Sequence, residues 1–187
     1  MITPQLLNAL VSPDGVIRSQ AETVFQSLTV VDRVQGLLTQ LCAGDGTEDA
    51  RLSLLTAVLL RRDILKLGPN HASLLQELVH PLLQTFSSAS LCRTQAGHCL
   101  AEVCASLSLI GVDNNSNNNS NNNNSTVDQV LPIILSAIQG NLQQGGVPSL
   151  KLVAALADRL PIAYSKFAVP LLFRNSPSRR CLPLHHR

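Results

Sequence analysis

Residues 74–86 read Leu-Leu-Gln-Glu-Leu-Val-His-Pro-Leu-Leu-Gln-Thr-Phe, and their spacing decides the fold class. Leu74, Leu75, Leu78, Val79, Leu82, Leu83 and Phe86 recur at i, i+1, i+4, i+5, which places them on one face of a helix and not on alternating faces of a strand. Pro81 sits inside the stripe and predicts a kink or a break there. A partner helix is expected from about Ser90 to Ile110, with Ala96, Cys99, Leu100, Val103, Leu107 and Ile110 inward.

The same pattern extends in both directions. Thr3-Pro4 is a helix start, followed by Leu6, Leu7, Leu10 and Val11. Ser12-Pro13-Asp14 repeats the signal, with Ser12 as the expected cap, and Ile17, Ala21, Val24, Phe25 and Leu28 then point inward. Asp32 opens a helix bearing Val34, Leu38 and Leu41, which closes near Gly44. Thr47 caps the next, which is apolar nearly all round between Leu52 and Leu65 and so predicts neighbours on several sides. Val127, Val130, Leu131, Ile134, Leu135 and Ile138 form another helix, ended by Gly140. Leu152, Val153, Leu156, Ala157 and Leu160 form the one after it, closed by Pro161. A further helix is expected near Ile162. First helices of successive pairs recur every ~30–40 residues once the polar tract is subtracted, the period of helical solenoids. The expected fold is all-α, an alpha-alpha superhelix of about four helix pairs plus part of a fifth.

Residues 113–126 are almost wholly Asn and Ser, with no apolar surface to offset the entropy of ordering, and are expected to be a disordered insertion. The organisation is therefore three repeats over 1–111, an insertion over 112–126, a fourth repeat and the start of a fifth over 127–173, and an irregular tail over 174–187.

Composition excludes several functions. Aromatics are 3% of 187 residues and net charge is +2, so neither base stacking nor an electrostatic grip on nucleic acid is expected. No apolar run is long enough to insert into a bilayer, and Met1 to Leu10 lacks the features of a signal peptide. A soluble intracellular chain is the expectation. Five cysteines without a Cys-x-x-Cys argue against a disulfide framework or zinc site, and Cys99 reads as a small core residue. His98 adjoins Cys99, but neighbours on a helix diverge by ~100° and do not converge on one metal. No phosphate loop or nucleophile elbow is present. Asp63, beside Arg61 and Arg62, reads as a surface ion-pairing residue. No cofactor, metal or catalytic residue is expected.

Two segments carry a specific resemblance. Leu6-Leu7-Asn8-Ala9-Leu10-Val11-Ser12-Pro13-Asp14-Gly15-Val16-Ile17-Arg18-Ser19-Gln20-Ala21-Glu22 resembles the opening of importin-beta superfamily nuclear transport receptors. Ala50-Arg51 through Ala57-Val58-Leu59-Leu60-Arg61-Arg62 resembles their alanine- and leucine-rich helix ending in two basic residues. The likeness is greatest to the importin-five branch, with the importin-four branch close behind, and it loosens beyond Arg62. The resemblance implies HEAT repeats whose second helices line a concave face. It also implies binding of the GTP form of the small GTPase Ran by the N-terminal repeats, with protein cargo and Phe-Gly nucleoporins as partners of a full-length receptor. Cytoplasmic and nuclear residence follows. Arg18, Glu22, Arg61, Arg62, Arg93 and Glu102, all on second helices, are the implied Ran contacts. The tail from Phe173 to Arg187 does not resemble the family, and a truncated or mis-spliced reading frame would account for it. The competing expectation is a HEAT-repeat scaffold of the phosphatase-regulatory or coat-adaptor type.

Overall fold

The computed structural model describes residues 1–43, 50–88, 92–114, 126–142 and 146–160. Among these residues there are eight α-helices, one 3-10 turn and no strand. The helices are α1 (Pro4–Leu10), α2 (Gly15–Ser27), α3 (Val30–Ala43), α4 (Ala50–Ile64), α5 (Ala72–Ser87), α6 (Arg93–Asn114), α7 (Thr126–Leu142) and α8 (Val147–Arg159), with the 3-10 turn at Pro69–His71. The expected starts at Thr47 and Ile162, the closure near Gly44 and the tail lie outside the described residues.

Chain neighbours pair α1 with α2, α3 with α4, α5 with α6 and α7 with α8. Across pairs, like packs on like. The first helices α3, α5 and α7 lie side by side, and so do the second helices α4, α6 and α8. The first pair departs from this rule: α1 lies against α4. Ile2, just before α1, is buried across α3, where a Cβ on Gly36 would stand 3.0 Å from the Ile2 Cβ. One continuous core runs through the stack, from Ile2 and Leu7 through Leu37, Leu60, Leu78 and Phe86 to Leu100, Ile134 and Leu156. Each fully buried aliphatic or aromatic side chain contributes about 1.5–3 kcal/mol of transfer free energy.

Local signals explain most boundaries. The Thr3 hydroxyl accepts from Leu6 N at 3.2 Å, capping α1 as expected. At α2 the cap is Asp14, not Ser12: its carboxylate accepts from Val16 N at 2.8 Å, while Ser12 Oγ accepts from Asp14 N. A carboxylate complements the positive helix terminus better than a hydroxyl, which moves the start two residues on. Thr29, not Asp32, opens α3. The pair forms a reciprocal cap, with Thr29 Oγ1 accepting from Asp32 N at 3.1 Å and donating to the Asp32 carboxylate at 2.6 Å. Pro81 does not divide α5, which runs unbroken from Ala72 to Ser87. Leu78, Val79 and Leu82 are buried around it, and that packing outweighs the ~3 kcal/mol a helical proline costs. Gly140 likewise lies within α7; α6 continues to Asn114 and α7 starts at Thr126, and the rest of the expected insertion, 115–125, lies outside the described residues.

The inward faces are narrower than the sequence pattern suggests. Ile17 and Val24 are about half exposed, so α2 buries only Ala21 and Phe25. Val11 and Ala157 are also exposed. α4 meets α1, α3 and α6, in line with its many apolar positions, but Leu54 and Val58 on it and Leu65 in the turn after it remain exposed. The cause is that α4 has a second-helix neighbour in α6 but none of comparable contact in α2.

Candidate functional site

Three second helices bring their charged residues to one place. Glu102, in the middle of α6, is 2% exposed and sits between two arginines. Arg61, in the last turn of α4, approaches its Oε2 with Nε at 3.5 Å, and Arg159, in the last turn of α8, donates to the same oxygen through Nη1. The two guanidiniums remain about one-third exposed. The carboxylate thus ties α6 to both neighbours while each arginine keeps a wet edge.

His98 lies one turn before Glu102 on α6. Its pKa is lowered, first by burial and then by the positive charges of Arg61, Lys151 and Arg159. The imidazole is therefore neutral at pH 7. One buried acid stands against Arg61, Arg159 and Lys151, so this part of the α4–α6–α8 face carries net positive charge and suits an acidic protein surface.

A second charged cluster holds the base of α4. Asp63 is fully buried and accepts from Arg33 Nε at 2.7 Å and from Lys66 Nζ at 2.9 Å. Arg33 also donates through Nη1 to the Leu28 carbonyl at 2.7 Å and lies over the Phe25 ring. Burial alone would raise the Asp63 pKa, but the hydrogen bonds and charges of Arg33 and Lys66 outweigh it and hold the carboxyl below its ordinary value. Asp63 is therefore a core ion pair joining α3 to α4, not the surface pair its sequence context suggests.

Of the six residues implied by the resemblance, the structure brings Arg61 and Glu102 into direct contact. Arg62 points the other way along α4, 3.6 Å from Asp63 and over the Phe25 ring. Arg93 donates through Nε to the Phe86 carbonyl at 2.7 Å and lies over the Phe86 ring, closing the end of α5. Arg18 reaches back to the Ser12 carbonyl at 3.1 Å, and Glu22 is exposed on α2. Neither shares the Glu102 cluster. Sequence reasoning missed Arg159 and Lys151. The signal was available for Arg159, which occupies the last turn of its second helix as Arg61 does of α4.

Among the described residues, Cys92, Cys99 and Cys104 are buried and Cys42 is half-buried. Burial pushes the Cys99 and Cys104 thiols up to about 12, and raises Cys42 as well despite a hydrogen bond with Thr85. These thiols are protonated at neutral pH and are not nucleophiles in the folded chain. Among the described residues, no group of three or more His, Cys, Asp or Glu could hold a metal ion, and no helix is long and apolar enough to cross a membrane. No protein-family model, curated protein or solved structure matches the chain.

Proposed function

We propose that this chain is a helical-repeat binding protein acting as the N-terminal part of an importin-beta-type transport receptor, with Ran-GTP engaged on the α4–α6–α8 face. The observation that carries the proposal is the like-on-like packing of α3, α5 and α7 and of α4, α6 and α8, which is the contact pattern a HEAT solenoid requires. The resemblance of residues 6–22 and 50–62 to the receptor family supplies the partner. In this reading the stacked second helices form the concave wall, and the Arg61–Glu102–Arg159 cluster presents held cations to an acidic surface. Small rotations between pairs sum along such a stack, so binding at one place alters curvature elsewhere. Cargo and Phe-Gly nucleoporins would be held by further repeats of a longer receptor.

The test is a pull-down of purified Ran, loaded with GTP or GDP, on the immobilised chain. The expected result is retention that depends on GTP and weakens in Arg61→Glu and Lys151→Glu. Equal retention of both nucleotide forms refutes the Ran assignment. Reconstitution with a purified phosphatase or coat subunit in place of Ran would transfer the chain to the scaffold class.

A further inference from the structure

The outer face of α4 and of the turn after it, where Leu65 N–H still donates to the Arg61 carbonyl, carries an apolar ridge that no element among the described residues covers. Leu54, Val58 and Leu65 are 54%, 51% and 62% exposed. They fall at i, i+4 and i+11 and share one stripe, about 16 Å long, or three helical turns. Arginines flank it on opposite sides. Arg61 leans toward α6, where it meets Glu102, and Arg62 leans toward α2, where it lies over Phe25.

We propose that this ridge is a docking site for an acidic amphipathic helix of a partner protein, its apolar stripe against Leu54, Val58 and Leu65 and its carboxylates on Arg61 and Arg62. The proposal deepens the binding-protein reading and does not depend on Ran being the partner. Charge complementarity selects the occupant. A ridge of about 16 Å matches anchors at i, i+4 and i+11 of a helix laid along it, and cations on both flanks favour acids on both flanks of that helix. The chain's own residues 161–187 contain no Asp or Glu, with Lys166, Arg174, Arg179, Arg180 and Arg187 among them, so they cannot supply those acids. Another exposed apolar group, Val16, Ile17 and Val24 on α2, is bordered by Arg18 and Glu22 of opposite sign and selects no charge.

The experiment uses the full chain and a fluorescent synthetic helix of about fifteen residues, with Leu at i, i+4 and i+11 and Glu on both flanks. Its anisotropy is compared with that of a scrambled peptide and a peptide with Lys in place of Glu. Saturable one-to-one binding of the acidic helix is expected, weakened about tenfold or more by Val58→Glu and unaffected by Val16→Glu. Retained helical circular dichroism in both variants shows that folding is intact. Equal binding of the scrambled or Lys peptide overturns the proposal, and so does an equal loss in Val16→Glu. A wild-type dimer that Val58→Glu converts to monomer overturns it in favour of a second copy. Ran-GTP retention by a wild-type chain that ignores the acidic helix would sink this site while leaving the receptor reading intact.

Discussion

Replacing Asp63 with Ala should be among the costliest single changes in the chain. The carboxylate has no exposure and holds three cations, but these do not matter equally. Lys66 and Arg62 are about half exposed and can turn to water, so losing their contacts costs roughly 0–1 kcal/mol each. The Arg33 side chain is 10% exposed and already committed to the Leu28 carbonyl, so its charge would be stranded. Leaving one buried ion unpaired costs about 3–5 kcal/mol. At about 2–4 °C per kcal/mol for a chain of this size, Tm should fall by roughly 10 °C. Urea unfolding followed by helical circular dichroism measures the loss. The double variant Arg33→Met with Asp63→Leu should be more stable than Asp63→Ala, because it strands no charge. The pH dependence has a definite sign. The folded pKa of Asp63 lies below its unfolded value, so its stabilisation is present above pH ~4 and is lost as pH falls through the folded value. Asp63→Asn should flatten that acid limb. A loss below about 1 kcal/mol for Asp63→Ala would refute the reasoning, since it is what an exposed pair would give.

Other outcomes follow from the same geometry. Glu102→Gln should loosen α4 and α8 from α6 and cost about 2–4 kcal/mol in urea unfolding, because Arg61 and Arg159 lose a shared acid but keep access to water. Cys99 and Cys104 should resist maleimide at pH 8 in the native chain and react only at the rate of unfolding, read site by site by mass spectrometry; rapid labelling of either would contradict its burial. Phe86→Ala should cost about 3–5 kcal/mol, and Gly97→Ala should lose the helix-propensity gain expected of alanine because its Cβ would stand 3.3 Å from the Phe86 ring.

Helix existence and pairing were legible because they depend on periodicity, which any chain with a 3.6-residue repeat of Leu, Val and Ala displays. Boundaries were less so where two capping residues competed, as at Ser12 against Asp14. Faces were legible only for helices with neighbours on the expected sides. Ile17, Val24, Leu54 and Val58 satisfy the spacing of a core stripe, and no local signal says that the element meant to cover them is absent. Asp63 shows the same limit for charge. Its sequence neighbours Arg61 and Arg62 suggest a surface pair, whereas its principal partner is Arg33, thirty positions away on α3. Arg159 could be placed in the last turn of its helix, but its partner could not be read from the sequence, since Glu102 stands 57 positions earlier.

The two charged clusters divide the work of a stack between holding and presenting. Asp63 joins α3 to α4 within one pair, is wholly buried and offers a partner nothing. Glu102 joins α4, α6 and α8 across three pairs and leaves the outer edges of both arginines in water. A carboxylate placed between successive second helices fixes their spacing and, by the same contacts, fixes where two guanidiniums stand on the surface. Held cations lose less side-chain entropy on binding than free ones, so such a face binds acids more tightly than its charge alone would give. The comparison of Glu102→Gln with Lys151→Glu separates the two contributions. The first keeps every cation and releases its hold, while the second reverses a charge and leaves the hold intact. If Glu102→Gln weakens binding of an acidic partner although it makes the face more positive, the fixed geometry is what binds. If it strengthens binding, bulk charge is enough, and the cluster serves the stack alone.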